Sequence, residues 1–479
     1  MRKLALVLVV AACGDDAATM PDAGTTLDGS TVDTPPMIDG APAFTPPTPY
    51  KVPLSAGGPD QIHSVKAGPN GSFFLGGYVA QTPTGDKAIF VAKTTATGPD
   101  TTFGNVPNSG VAVLQQVFTP GGGSGADEID LAVQSTGKVL VSFTVADADD
   151  ATDRDVRVVR LTTTGALDTT FGGGSGFITI DFSAKGAGTV LDIARGLAVD
   201  SNDNIYVHAV AKSPTGTDSD FAVAKITPDG TLANNWGLSD SGKFFLDTPI
   251  GSTPAAATPR GIVALADGSI IAGGYSNAIG PGNQPVIYKL DANGDLATSF
   301  NGTGYFFDTV LTRQTEAYNF AVQNGTHVVT GGYGNEAGIT RDDWISMRVD
   351  VATGLRDMTW GGSTNGAKVV DVSPNMTSSN CRNAVALPGG KTLLIGSTGP
   401  GNMAAQDGVF VVLDASGNVD TKYNGINRFK LDGADGNDQF WGAAESGGNI
   451  LIAGWRGTSG AAQSATLNDD SYLIVFPVQ

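Results

Sequence analysis

The chain repeats. A hairpin turn between two apolar runs recurs at Gly71, Gly137, Asn204, Gly268, Gly325, Gly390 and Gly448, with spacings of 66, 67, 64, 57, 65 and 58 residues. A period of this size marks stacked supersecondary units, none of which can bury its apolar face alone. Seven such units replace the prior of about three unrelated domains that a length of 479 residues supplies.

One unit shows the local structure. Asp192 to Asp200 form an apolar-rich run, Asn202, Asp203 and Asn204 a turn, and Ile205 to Ala211 a second run. Phe221 to Thr227, a turn at Pro228-Asp229-Gly230, a Trp236-Gly237 corner and Gly242 to Asp247 complete it. Short runs rich in β-branched and aromatic residues, bounded by Gly, Asn and Asp, predict a four-stranded antiparallel meander. The corner recurs as Phe103-Gly104, Phe171-Gly172, Phe300, Trp360-Gly361 and Tyr423, an aromatic at one register that can plug the space between neighbouring sheets. The seventh unit has only three strands, near Ala443, at Ile450–Trp455 and at Tyr472–Val478, while Tyr50–Leu54 precede the first. The predicted fold is therefore all-β, a seven-bladed β-propeller of four-stranded antiparallel blades over residues 50–479, closed by the N-terminal strand completing the last blade. Glycine, 66 residues and about twice ordinary usage, is the material of the turns and of close backbone approach at Gly76-Gly77, Gly273-Gly274 and Gly331-Gly332.

Leu167-Asp168-Thr169-Thr170-Phe171-Gly172, Asp220 to Lys225 and Asp267 to Gly274 resemble the delta-60 repeat, found in β-propellers of exported bacterial proteins. The resemblance covers about residues 60–433 and departs in unit 5, where Thr353 to Trp360 replace the usual corner. It implies architecture and export, and no settled biochemical activity.

The N-terminus reads as an address. Met1, Arg2 and Lys3 form a positive start, and the apolar run Leu4 to Ala12 is far shorter than the roughly 20 residues a membrane span needs. Val10, Ala11, Ala12 and Cys13 resemble a bacterial lipoprotein signal, which implies residues 1–12 as signal peptide, a lipidated Cys13 and a membrane anchor. Gly14 after that cysteine favours the outer membrane or cell surface over the inner membrane. Residues 13–49 hold six Asp and no Lys or Arg, too little apolar matter to fold, and predict a disordered linker reaching about 30–35 Å. The only other cysteine, Cys381, is then without a partner, and the fold must stand without a disulfide.

A net charge of −19 repels phosphate backbones, so nucleic acid is not an expected partner. Zinc and nucleophile motifs are absent: no His-Glu-x-x-His, Cys-x-x-Cys or Gly-x-Ser-x-Gly occurs, and His63, His208 and His327 fall in strands of different units. Two recurrences carry the candidate sites. Asp60, Asp127, Asp192, Glu316, Asn380 and Asp438 open the innermost strands and could ring one mouth of the channel. Structural capping is the alternative. Asp147, Asp149, Asp150, Asp153 and Asp155 crowd one loop before a third strand, a candidate calcium site by the oxygen-ligand rule, with a solvated acidic loop as the alternative. The expected function is a surface binding or scaffolding module for a protein, glycan or small ligand, acting as a monomer. The alternatives are a carboxylate-dependent hydrolase or lyase at the channel mouth, and a structural envelope protein.

Overall fold

The computed structural model describes residues 44–52, 54, 60–80, 87–118, 128–147, 153–183, 192–211, 218–247, 256–373, 377–399, 406–431, 436–457 and 470–479. Cys13, Asp127, Asp149 and Asp150 lie outside them. Seven antiparallel sheets follow one another along the chain. Their innermost strands are Asp60–Ala67, Asp130–Val133, Ile193–Val199, Ala257–Ala264, Gln314–Gln323, Asn380–Leu387 and Asn437–Ser446. Each touches the innermost strand of the next blade, and the seventh touches the first, so the ring is closed. In blade 1 the outer place is taken by Val111–Phe118, which pairs with Lys87–Thr95. Blade 7 takes its outer strand from the N-terminal side of the ring: Tyr50–Val52 pair antiparallel with Asp470–Pro477, Tyr50 opposite Leu473. This is the closure that the three-stranded last unit predicts.

The core is divided into seven apolar slabs, one in each gap between neighbouring blades. The corner aromatics fill these gaps. Phe103, Phe171, Trp236, Phe300, Trp360 and Tyr423 are all at most 1% exposed, as the repeated register predicts. Five of these six corners, all but that of Tyr423, are latched to the next blade by a backbone hydrogen bond: Gly172 N donates to Asp229 O at 2.9 Å, Gly237 N to Asn293 O at 2.8 Å, Gly361 N to Ser416 O at 2.8 Å. The turn that accepts the bond presents a left-handed glycine flat against the ring; Gly294, at φ +88°, is one of these. A Cβ there would lie 2.6 Å from both Gly237 N and the Trp236 ring.

Phe44 departs from the reading of residues 13–49 as a free linker. It is buried against Phe410, Tyr423 and Phe476, and its carbonyl accepts a 2.6 Å hydrogen bond from Asn424 Nδ2. An aromatic beside open apolar rings gains too much by burial to remain in solvent, whatever the composition around it.

Candidate functional site

A cavity of about 70 Å³ lies where the seven innermost strands converge, lined by residues of every blade. Its wall comes from a repeated backbone irregularity. In six of the seven innermost strands the pairing register slips by one residue, a β-bulge, at His63, Arg195, at Arg260-Gly261, and at Tyr318, Arg382 and Trp441. A bulge re-aims the extra residue. Here the re-aimed His63, Arg195, Arg260, Tyr318, Arg382 and Trp441 all line the cavity. Glycine on the second strand makes the bulge possible: a Cβ on Gly77 would fall 1.8 Å from Gln61 O, and one on Gly454 1.8 Å from Gln439 O. The residue after each bulge is small or short, Ser64, Gly196, Gly261, Asn319, Asn383 or Gly442, because the neighbouring innermost strand passes there. A Cβ on Gly442 would meet Val65 N at 2.7 Å.

These side chains touch one another in sequence around the ring. The His63 and Trp441 ring centroids are 5.5 Å apart. Trp441 and Tyr318 lie 4.8 and 4.9 Å from the Arg382 guanidinium carbon, and Tyr318 lies 4.0 Å from that of Arg260. Arg260 donates to Tyr318 Oη at 2.8 Å and to Tyr275 Oη at 3.2 Å. Glu128, from blade 2, bridges Arg195 at 2.9 Å and Arg260 at 2.7 Å. Burial pushes the Glu128 carboxyl up, but the two guanidiniums outweigh it and hold it down at about 2. It is a fixed anion at any physiological pH. Lys66 and Asp130 close the wall with a 3.0 Å ion pair, Asp130 also accepting from Ser64 Oγ at 2.7 Å and from Leu197 N.

The structure places the strand-opening residues elsewhere. Asp60 Oδ1 accepts from Ser471 N at 2.9 Å. Asp192 accepts from Phe182 N and from both the amide and the hydroxyl of Ser183. Asp438 accepts from Leu431 N, and Glu316 from Asn283 Nδ2 at 2.6 Å. In each case the donor belongs to the preceding blade or to the segment leaving it, so these carboxylates tie one blade to the next. Asn380 is likewise buried at the head of its strand. None of the five is among the cavity-lining residues. The bulged residues that are there stand two or three positions further along each strand. Their signal was a large cationic or aromatic residue followed by Ser, Gly or Asn.

The acidic loop is partly rearranged relative to the sequence reading. Asp147 N donates to Asp153 O, and Asp153 Oδ1 caps Arg154 N at 2.8 Å, which is turn-fixing work. Asp155 instead faces Asp181 and Asp192, their carboxylate oxygens all within 4.8 Å of one another. Burial first, and then repulsion from Asp181 and its neighbours, push Asp155 up to about 7; burial also takes Asp192 up to about 6. Asp218, Asp220 and Asp247 repeat the arrangement one blade on. At the same place in blades 5 and 7 a base is present: Arg341 lies 2.9 Å from Asp371, and Lys51 2.6 Å from Asp470. A cation held in blade 2 would use Asp155, Asp181 and Asp192. Cys381 is buried, and burial lifts its thiol to about 12.

The fold defines a seven-bladed β-propeller with a polar and aromatic central cavity. A family model described as "Domain of unknown function (DUF5122) beta-propeller" matches residues 134–171 and 265–300. Each segment runs from before a first hairpin turn to a corner aromatic, Phe171 or Phe300, in blades 2 and 4. Among curated proteins none matches the chain. Similar solved structures include the polysaccharide lyase Uly1, 10% identical with a TM-score of 0.49, the alignment covering 92% of this chain and 94% of that one. A PL25 ulvan lyase aligns at 12% identity and TM-score 0.41, covering 88% and 95%. The β-propeller domain of the Trilobed protease from Pyrococcus furiosus aligns at 8% and 0.42, covering 87% and 94%.

Proposed function

We propose that this chain is an exported, lipid-anchored propeller of delta-60 repeats that binds a small ligand or glycan at its central cavity. One observation carries the reading. A strict repeat would place like residues at the six bulges, yet the ring there is His63, Arg195, Arg260, Tyr318, Arg382 and Trp441, with Glu128 beside it. Residues that diverge where the backbone repeats are free of the repeat's structural demand, and convergent polar groups with aromatic walls are the usual make-up of a small-molecule site. Binding is favoured over a carboxylate-dependent hydrolase or lyase. The two carboxylates in the wall, Glu128 and Asp130, are each tied to a cation, Glu128 to Arg195 and Arg260 and Asp130 to Lys66, so the wall presents no pair of free carboxyl groups for such chemistry. A structural role in the envelope leaves the divergence of the ring without a cause. Lipidation at Cys13 would hold the body at the outer membrane or cell surface as a monomer.

The test uses the mature protein against a glycan array and a metabolite library read by thermal shift, beside Tyr318→Ala. Ligands that raise Tm in the parent and fail in the variant support the reading. Hits that are indifferent to Tyr318 overturn it. Labelled palmitate incorporated by the parent and lost in Cys13→Ser tests the anchor.

A further inference from the structure

Resting on the reading of the central cavity as a ligand site, we propose that the ligand is anionic. A carboxylate, sulfate or phosphate group enters the cavity end first and is received by Arg382. The charge balance points this way. The cavity wall carries Lys66, Arg195, Arg260 and Arg382 against Glu128 and Asp130, a net charge of +2 inside a chain of net charge −19.

The four cations are not equivalent. Lys66 is paired with Asp130, and Arg195 and Arg260 share Glu128. Arg382 has no ion pair among the described residues, and its buried Nε has no hydrogen-bond acceptor there. Its neighbours are the Tyr318 and Trp441 rings, at 4.9 and 4.8 Å. Arg382 is partly buried, and a ring face is a weaker partner for a guanidinium than a counter-ion in direct contact. Five other blades place His, Arg, Arg, Tyr or Trp at this register, so the backbone does not demand arginine there. The unbalanced guanidinium is explained if a ligand supplies the counter-ion. Rings packed against the guanidinium carbon leave its N–H edge as the contact surface, and that edge matches two oxygens of one oxyanion.

Size limits what enters. An ordered water needs roughly 10–15 Å³ on the same measure, so 70 Å³ holds about five waters. That is room for one oxyanion with a little solvent, and too little for a sugar ring. The rest of the ligand stays outside, whether it is a uronate within a glycan or nothing at all in the case of a free oxyanion.

Isothermal titration of the mature protein with D-glucuronate, inorganic sulfate and D-glucose tests this, in the parent, Arg382→Gln and Arg382→Lys. Glucuronate or sulfate should bind and glucose should not. Binding should weaken at least tenfold in Arg382→Gln, partly recover in Arg382→Lys, and weaken with added NaCl. Glucuronate without sulfate identifies a ring-borne carboxylate as the source; sulfate without glucuronate identifies a free oxyanion. An unchanged near-ultraviolet circular dichroism spectrum shows that the variant is folded. Binding of glucose as tight as that of glucuronate, or an affinity untouched by Arg382→Gln, overturns the anionic ligand; if Tyr318→Ala still abolishes binding, the cavity remains a ligand site. No heat with any probe, together with no Tyr318-dependent hit in the library, overturns both.

Discussion

Replacing Gly294 with alanine tests how the blades are held together. Gly294 sits at φ +88°, a conformation that costs an L-residue roughly 1–2 kcal/mol. The added Cβ would also stand 2.6 Å from Gly237 N and 2.6 Å from the Trp236 ring, both backed by buried structure. The turn must withdraw, which breaks the 2.8 Å bond from Gly237 N to Asn293 O and leaves a donor unpaired, at a further cost of about 1–3 kcal/mol. The expected loss is therefore about 2–5 kcal/mol. Gly325 is the internal control: it has φ +71° with nothing within 4 Å of the place a methyl would take, so Gly325→Ala should lose only the roughly 1–2 kcal/mol of strain. Urea unfolding followed by far-ultraviolet circular dichroism measures both, at equal m-values. If the two variants lose the same stability, the latch contributes nothing and the corner aromatic is a filler only.

Two further outcomes follow from buried titratable groups. Asp155 is raised to about 7 in the folded chain against an ordinary value near 4, so the fold binds more protons than the unfolded chain and loses stability as pH rises from about 4 through 7. Asp155→Asn should match the parent near pH 4 and exceed it by about 2–4 kcal/mol at pH 8; a variant less stable at pH 8, or one rescued in the opposite sense by Ca²⁺, refutes repulsion as the resting state of that cluster. Cys381, fully buried with its thiol near 12, should resist dithionitrobenzoate in native Cys13→Ser protein and react with one equivalent per chain after unfolding. Rapid native labelling would place it outside the slab between blades 5 and 6.

What could be read from the sequence was whatever each blade needs in common. The hairpin turns recur in seven units and the corner aromatics, from Phe103 to Tyr423, in six, and against that repetition the missing fourth strand of the last unit stands out. The same property drew the search for a site to the residues that open each innermost strand. Asp60, Asp192 and Asp438 recur because each ties a blade to its predecessor. The cavity ring went unseen because its members are unlike, His63 in one blade and Arg195 or Trp441 in others. A bulge also inserts one residue and so breaks the period-two pattern by which inward faces are recognised. Asp181 joins Asp155 through the outer strand of the same blade, and no spacing within a single loop could have paired them. Phe44 was hidden by composition, since one aromatic among prolines and threonines does not change an average.

Phe44 also decides how the ring takes a load. Among the described residues three backbone pairs, Tyr50 to Val52 against Ser471 to Leu473, and the Lys51–Asp470 ion pair hold the clasp that completes blade 7. A pull on the chain from its N-terminal side would peel such a clasp open one pair at a time. Among the described residues Phe44 comes first along that line of force, wedged among Phe410, Tyr423 and Phe476 and hooked by Asn424. It works as a cable gland does on an instrument case: tension arriving from that side would be passed to the bodies of blades 6 and 7 before it reached the seam.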